Sequence, residues 1–103
     1  MKCGLIWSVA RMLDVRYSAQ FRRDYKLARK RGLPMQELHD IVELLRACQP
    51  LPERCRDHAL SGDMAGFREL HIRPDWLLIY RVTDTELILL LQRTGTHADL
   101  FDF

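Results

Sequence analysis

The clearest pattern of apolar and polar positions runs from Phe67 to Val82 and predicts two strands joined by a tight corner. Residues 67–72 alternate in part, which places His71 on the more polar face of the first strand. The corner is Arg73-Pro74-Asp75, because proline fixes φ and lacks an N–H, while aspartate bonds to nearby backbone. Residues 76–82 are apolar at nearly every position, as expected of a strand covered on both faces.

The segments on either side of this pair predict one earlier strand, a helical hairpin and one later strand. Residues 13–17 alternate like a short first strand. Ser18 is suited to cap a helix that ends at Gly32. A second helix begins at Pro34, where a missing N–H does no harm. Residues 86–93 are leucine-rich and predict the last strand.

Three details complete the predicted architecture. The second helix is expected to run through Cys48, which falls on its apolar face. Residues 53–65 form the longest irregular loop, and such loops often carry function. Thr96 is suited to cap a helical turn over residues 97–101. The order β-α-α-β-β-β with a short C-terminal helical turn predicts an α+β protein whose small antiparallel sheet packs on a helical hairpin.

The predicted meander gathers polar residues that are distant in sequence. In an antiparallel meander, the end of the first strand, the start of the second and the end of the third share one edge. Those positions are His71, Asp75 and the segment from Arg93 to His97. Histidine can both take and give a proton near neutral pH. Two histidines, an aspartate and an arginine suit RNA cleavage, which needs a base for the 2′-hydroxyl, an acid for the leaving oxygen and cations for the phosphate.

Composition places the chain among ordinary single-domain proteins, since its 103 residues are 48% hydrophobic and 29% charged. No apolar run approaches the ~20 residues that a membrane helix needs. The three cysteines have no repeated spacing, which fits a reducing cytoplasm better than a disulfide framework. The net charge is only +2, but eight basic and two acidic residues lie between Arg11 and Arg31. This asymmetry indicates an anionic partner, with a solvated helix face as the alternative.

Three segments resemble YafQ-type toxins of the RelE/ParE superfamily, and they span residues 57–62, 66–80 and 93–101. Residues 17–21 and the basic helix after them are similar to the family's amino-terminal start. The resemblance covers residues 12–103 as one RelE-like toxin domain. Residues 1–11 are left as an N-terminal extension, for which we expect either disorder or an overlong start before Met12.

The resemblance implies the toxin of a type II toxin–antitoxin system, an mRNA interferase that cuts messages in the ribosomal A site in the cytoplasm. It implies partnership with the ribosome, mRNA and a cognate antitoxin, and no metal, small-molecule cofactor or membrane. By the same resemblance the catalytic residues are His58, His71, Asp75 and His97. His97 is then the general acid, Asp75 or His71 the base, and His58 orients or stabilises the phosphate. We expect the antitoxin's inhibitory segment to be acidic or amphipathic.

The expected RNA-binding residues are aromatic or basic, and they are Trp76, Phe101, Arg68, Arg93, Arg22, Lys26 and Arg29. The two aromatic residues, by the resemblance, either contact bases or support the site. The last three form a stripe on the first helix that fits contact with rRNA.

Three alternatives stay open. The first is a non-catalytic toxin of the same fold, such as the ParE-type gyrase inhibitors, and the second is a protein of this fold with a degenerate site. The third is a zinc site, because Cys55 and His58 have a Cys-x-x-His spacing that His71 and His97 would complete. The full set of three histidines and Asp75 favours catalysis, since a protein that only binds has no need of it.

Overall fold

The computed structural model describes residues 12–101, so the predicted extension over residues 1–11 lies outside the described residues. The strands are β1 (Asp14–Tyr17), β2 (His58–Ala59), β3 (Arg68–Arg73), β4 (Trp76–Thr83) and β5 (Ile88–Gly95). The α-helices are α1 (Ala19–Lys30), α2 (Met35–Arg46) and α3 (His97–Phe101). Among the helices of this described part, none is long and apolar enough to cross a membrane. The predicted α+β class with a helical hairpin is confirmed.

The five strands form one sheet in the order β1-β5-β4-β3-β2. The predicted antiparallel meander of β3, β4 and β5 is confirmed. The predicted antiparallel pairing does not extend to β1, which pairs with β5 in parallel. No turn joins these two strands, so nothing local in the sequence fixes their relative direction. The short β2, which was predicted as irregular loop, adds an antiparallel edge beside β3.

The helices begin as predicted, but α2 ends early. The Ser18 hydroxyl accepts the Phe21 N–H at 2.9 Å, which confirms the N-cap of α1. Cys48 lies beyond α2 with φ of 56°, so its expected place on the helix is wrong. The N–H of Gln49 donates to the Leu44 carbonyl at 2.8 Å, and the N–H of Cys48 donates to the Leu45 carbonyl at 3.1 Å. These two bonds close the helix as a Schellman motif, which requires the left-handed residue at that position.

The two faces of the meander have different roles. Trp76, Leu78 and Tyr80 alternate along β4 and belong to the core cluster together with residues of both long helices. Glu69 and His71 therefore lie on the opposite face, in register with Ile79 and Leu77 of β4. That face carries His71 and, through its pairing with Glu69, His58.

The last strand is displaced by two residues from its predicted position. Glu86 and Leu87 belong to the turn, where Leu87 has φ of 55°. Thr94 and Gly95 lie beyond the predicted strand, but they pair with Leu78 and Leu77. The alternation of apolar residues could not show this shift because residues 87–91 are all apolar and so have no alternation.

Candidate active site

Three aromatic rings form a row at one edge of the sheet. His71 comes from β3, and His97 and Phe101 come from α3. The ring centroids of His71 and His97 are 6.1 Å apart, and those of His97 and Phe101 are 5.9 Å apart. The structure thus brings His71 and His97 together, as the meander predicts, although they are separated by two strands in the chain.

Strand register explains this proximity. His71 pairs with Leu77, and Leu77 pairs in turn with Gly95. The helix α3 begins two residues after Gly95, so His97 lies next to the line of paired residues His71, Leu77 and Gly95. A side chain at Gly95 would place its Cβ 3.0 Å from the Asp99 side chain, so the close approach of α3 to β5 requires glycine there.

The imidazole of His71 has a defined orientation. Its Nδ1 lies 3.3 Å from the Pro74 carbonyl oxygen, which can only accept a hydrogen bond, so Nδ1 is the donor. The other nitrogen, Nε2, makes no hydrogen bond to any of the described residues 12–101. Asp75 lies in the two-residue loop between the paired Arg73 and Trp76, and it is exposed. The base candidates His71 and Asp75 therefore sit at the same hairpin end.

His58 lies on the same face of the sheet as His71. It pairs with Glu69 across β2 and β3, and Glu69 is two residues before His71. The His58 Nδ1 is 2.7 Å from the Arg56 carbonyl oxygen, and its Nε2 is 3.3 Å from Glu69 Oε1. Both ring nitrogens face acceptor oxygens, which suits a histidine that orients or neutralises charge better than a free base.

Glu69 was not among the residues that the sequence singled out. It is only 5% exposed, and a buried carboxylate needs a charged or hydrogen-bonding partner. Its contact with His58 supplies one. The sequence could not predict that Glu69 lies opposite His58, because residues 58 and 59 were predicted as loop and not as a strand.

The helix α3 is held by reciprocal capping. The Asp99 N–H donates to the Thr96 hydroxyl, and the Thr96 N–H donates to the Asp99 carboxylate, both at 3.0 Å. The guanidinium of Arg31 also donates to the two Asp99 oxygens, at 2.7 and 3.3 Å. These bonds lower the pKa of Asp99 to about 2, and the bond from Arg31 has the largest effect. Arg31 and Asp99 were not predicted as site residues.

Trp76 lies in the core instead of facing a substrate. It is 2% exposed, and its indole N–H donates to the Thr94 hydroxyl at 3.0 Å. That hydroxyl donates in turn to the Leu77 carbonyl at 2.7 Å. Of the two roles considered for Trp76, this placement fits support of the site and contradicts contact with a base. Phe101 is half-buried against His97, where a base could still reach it.

Two of the arginines expected near RNA, Arg93 and Arg68, are bound to carboxylates. Arg93 donates to Asp24 at 2.9 and 3.1 Å, and Asp24 also accepts the Thr94 N–H. Arg68 donates to Asp57, which accepts the Tyr80 hydroxyl as well. Asp57 raises the pKa of Arg68, and burial is the main reason that the pKa of Tyr80 is raised. These pairs fasten α1 to β5 and the loop before β2 to the meander, which is a structural task for both arginines.

The basic stripe on α1 is accessible. Arg22, Lys26 and Arg29 are all exposed. The adjacent Tyr17 ring is 50% exposed, stacks on Phe21 at 5.8 Å and has the Arg22 guanidinium 5.9 Å from its centroid. This surface lies on a different element from the histidine row.

The zinc alternative does not fit the structure. Cys55 is fully buried, at 0% exposure, so its thiol does not join the histidine row. Burial also raises the pKa of Cys55, which disfavours the thiolate that a zinc ion needs. Between residues 12 and 101, no group of three or more histidine, cysteine or acidic side chains is placed to hold a metal ion.

Comparison with known proteins gives consistent matches over nearly the whole chain. A sequence model described as "Bacterial toxin of type II toxin-antitoxin system, YafQ" matches residues 13–102. The mRNA interferase toxin YafQ of Escherichia coli K12 is 46% identical over 89 residues, which cover 85% of this chain and 95% of that protein.

Solved structures agree with this match. The crystal structure of YafQ from E. coli BL21(DE3) is similar with a TM-score of 0.81 and 44% identity, covering 86% of this chain and 98% of that one. YafQ in the E. coli DinJ–YafQ toxin–antitoxin complex gives a TM-score of 0.79 and 45% identity, covering 87% and 98%. The RelE-like fold expected from the sequence is thereby confirmed. The chain belongs to the YafQ family of bacterial toxins of type II toxin–antitoxin systems.

Proposed function

We propose that this protein is a ribosome-dependent endoribonuclease that cleaves mRNA in the ribosomal A site and thereby inhibits translation. The observation that carries the proposal is the row of His71, His97 and Phe101, held at an exposed edge by the capped helix α3. The E. coli relative is named an mRNA interferase, which supports the same class of reaction.

The proposed chemistry uses the nucleophile that RNA carries. The 2′-oxygen attacks the neighbouring phosphorus, and the bond from phosphorus to the 5′-oxygen breaks, leaving a 2′,3′-cyclic phosphate. His71 Nε2 or the Asp75 carboxylate takes the 2′-hydroxyl proton, and His97 gives a proton to the leaving oxygen. The Nδ1 contact of His71 with Pro74 supports His71 as a base, because it directs Nε2 away from the backbone.

His58 is proposed to orient or neutralise the phosphate. Its two nitrogens face the Arg56 carbonyl and Glu69, so a proton on each nitrogen is matched by an acceptor. A cation placed beside the phosphate stabilises the charge that develops during attack. Proton transfer by side chains and attack by the RNA's own hydroxyl require no metal or small-molecule cofactor.

The ribosome is proposed to supply the geometry of the message. In-line attack needs the 2′-oxygen, phosphorus and 5′-oxygen to be aligned, and holding reactants in such an arrangement contributes strongly to rate. The exposed basic stripe on α1 is proposed to contact rRNA, where phosphate charges would attract it.

A cognate antitoxin is the proposed inhibitor. YafQ of E. coli forms a complex with DinJ. We propose that this chain is likewise held by an antitoxin whose acidic or amphipathic segment folds on binding and covers the catalytic edge or the basic stripe. The place of action is the cytoplasm, where translation occurs.

The test is mRNA cleavage in a purified translation system, with products mapped by primer extension. The native protein, His97→Ala and His39→Ala are compared with and without ribosomes. His39 is the matched control because it lies on the exposed side of α2, where it meets the Tyr25 hydroxyl at 2.7 Å. We expect ribosome-dependent, in-frame cuts that His97→Ala abolishes and His39→Ala preserves.

Absence of cuts by the native protein, while its expression still arrests growth, would contradict the proposal. A gyrase supercoiling assay would then be the next measurement, since a ParE-type toxin acts through contacts alone.

A further inference from the structure

A second feature adjoins the histidine row on its other side. A cleft of about 780 Å³ has His71 in its wall and is also lined by Arg54, Arg56, Arg73 and Glu37. Arg54 and Arg56 come from the loop before β2, Arg73 from the end of β3 and Glu37 from α2. The three arginines are far from the basic stripe of α1 in sequence.

We propose that this arginine cleft binds a backbone phosphate of the message next to the phosphate that is cut. The proposal rests on the proposed endoribonuclease function and assigns a subsite to it. The ligand class is single-stranded RNA, recognised through its phosphate rather than its base.

The charge balance of the cleft favours an anion. Arg73 donates to both oxygens of Glu37, at 2.8 and 2.7 Å, so these two charges offset each other. The hydrogen bond from Arg73 is the main reason that the pKa of Glu37 is lowered, and the positive charge of Arg54 lowers it further. Arg54 and Arg56 are then two cations in excess on the cleft wall. Within residues 12–101 neither arginine forms an ion pair, and two such positive charges suit a phosphate.

Arg54 is held in place by its side chain, and Arg56 is held through its main chain. Arg54 donates from Nη1 to the Ile72 carbonyl at 3.2 Å, which fixes its direction and leaves other N–H groups of its guanidinium for a ligand. Arg56 has φ of 50°, and its carbonyl receives the His58 ring. A substrate that binds Arg54 therefore loses less free energy to ordering that side chain.

The order of groups along the edge gives the strand a path. Phe101, His97 and His71 follow one another at centroid spacings of 5.9 and 6.1 Å, and the cleft begins at His71. A strand whose scissile phosphate lies between the two histidines therefore has an aromatic ring on one side and guanidinium groups on the other. Stacking suits the first side and phosphate binding the second.

An acidic segment of the antitoxin would be attracted by the same positive charges, so the experiment must distinguish binding of RNA from binding of the antitoxin. RNA is favoured because His71 belongs to both the cleft and the proposed catalytic row. A phosphate in the cleft is thus adjacent to the reacting one, whereas inhibition by an antitoxin requires no contact within this cleft.

The experiment compares the native protein with Arg54→Ala/Arg56→Ala, Arg54→Lys/Arg56→Lys and Arg46→Ala in the purified translation system. Arg46 is the control arginine, since it pairs with Glu43 on α2 outside the cleft. The messages carry either a normal backbone or one neutral methylphosphonate at a linkage next to the cut, on either side. Cleavage kcat/KM is measured from low to high salt, and antitoxin affinity is measured in parallel.

We expect the neutral linkage on one side to slow the native protein and Arg46→Ala but to cause little further loss in the double alanine variant. The slope of log(kcat/KM) against log salt should fall by about 0.7 for each single-strand phosphate contact that is lost. The double lysine variant, which keeps the charge, should recover most of the slope.

Three results would overturn the assignment. The double alanine variant could cleave normally and keep the full methylphosphonate penalty, which removes the subsite and leaves the endoribonuclease function intact. It could cleave normally but bind the antitoxin more weakly, which makes the cleft an antitoxin site. A native protein that does not cleave at all overturns the proposed function, and the subsite with it.

Discussion

Arg31 binds Asp99 through both carboxylate oxygens, at 2.7 and 3.3 Å, across 68 residues of sequence. The joint between α1 and α2 is thereby fastened to α3, the helix that carries His97 and Phe101. Because Asp99 also caps that helix, one carboxylate determines where both rings stand relative to His71. The position of the proposed general acid therefore depends on a contact made far from the reacting phosphate.

Breaking this pair should impair catalysis more than binding. We expect Arg31→Ala and Asp99→Asn to lower kcat by up to ~10²-fold, the loss that a misplacement of about 1 Å can cause, with little change in ribosome affinity. Single-turnover cleavage and ribosome pelleting measure the two quantities. Arg31→Lys keeps the positive charge and leaves the Asp99 cap intact, so it should retain part of the activity, and an Arg31→Lys variant no better than Arg31→Ala would contradict the role.

Acid should release the same contact within a defined range of pH. The pKa of Asp99 is lowered from 3.8 to about 2 in the folded protein, so the folded state binds the proton less readily than the unfolded one. The stabilisation is therefore complete above pH 3.8 and is lost as the pH falls through about 2.

Urea unfolding of the native protein and Asp99→Asn from pH 5 downwards measures this loss. We expect the difference in unfolding free energy between them to shrink towards pH 2, because the variant has no carboxylate at that position. The comparison cancels the titration of the other acidic groups. A constant difference over the whole range would show that the carboxylate charge is not what stabilises α3.

Two short turns made the proposed catalytic edge predictable. The loop of Pro74 and Asp75 and the turn after β4 fix the direction of three consecutive strands, and antiparallel pairing then brings His71 and His97 to one end. Local sequence carries this information, since turn residues act on their immediate neighbours. The roles of the individual histidines came only from the family resemblance, and they stay predictions.

Long-range partners were not predictable in the same way. The charge of Arg93 is visible in the sequence, but its partner Asp24 is 69 residues away on another element. The same holds for Arg31 with Asp99 and for Arg73 with Glu37, which is 36 residues distant. A single sequence gives the charge of each side chain but not the packing that pairs them.

Substitution of Trp76 separates a core role from contact with RNA. Trp76→Phe removes the indole N–H and leaves the Thr94 hydroxyl without that donor, and it also reduces the buried volume. We expect a loss of ~1–3 kcal/mol in unfolding free energy, in the range for a broken buried hydrogen bond with a partner left behind. Urea unfolding measures it, and Thr94→Val should show a loss of similar size.

The matching measurement is cleavage at a temperature where the Trp76→Phe variant is fully folded. We expect KM for programmed ribosomes to stay unchanged, because a 2%-exposed ring offers no surface to a base. A large rise in KM with unchanged stability would return Trp76 to the substrate-binding surface. Phe101→Ala is the contrasting variant, since its half-buried ring lies against His97 and faces the proposed path of the strand.

The basic stripe on α1 should act on ribosome association and not on the chemical step. Arg22, Lys26 and Arg29 are exposed, and the half-exposed Tyr17 adds an aromatic surface beside the Arg22 guanidinium. Glutamate at the three basic positions reverses three charges, so we expect weaker ribosome binding and a shallower dependence of that binding on salt.

Tyr17→Ala should weaken binding further if a nucleotide base stacks there, whereas Tyr17→Phe should not. Arg46→Glu, which reverses one charge on α2, is the control for a charge reversal away from the stripe and is compared with the single Arg22→Glu variant. Ribosome pelleting from low to high salt measures the effect. Unchanged association of the triple variant would show that α1 presents only a solvated face, and the proposed approach to rRNA would then have to use another surface.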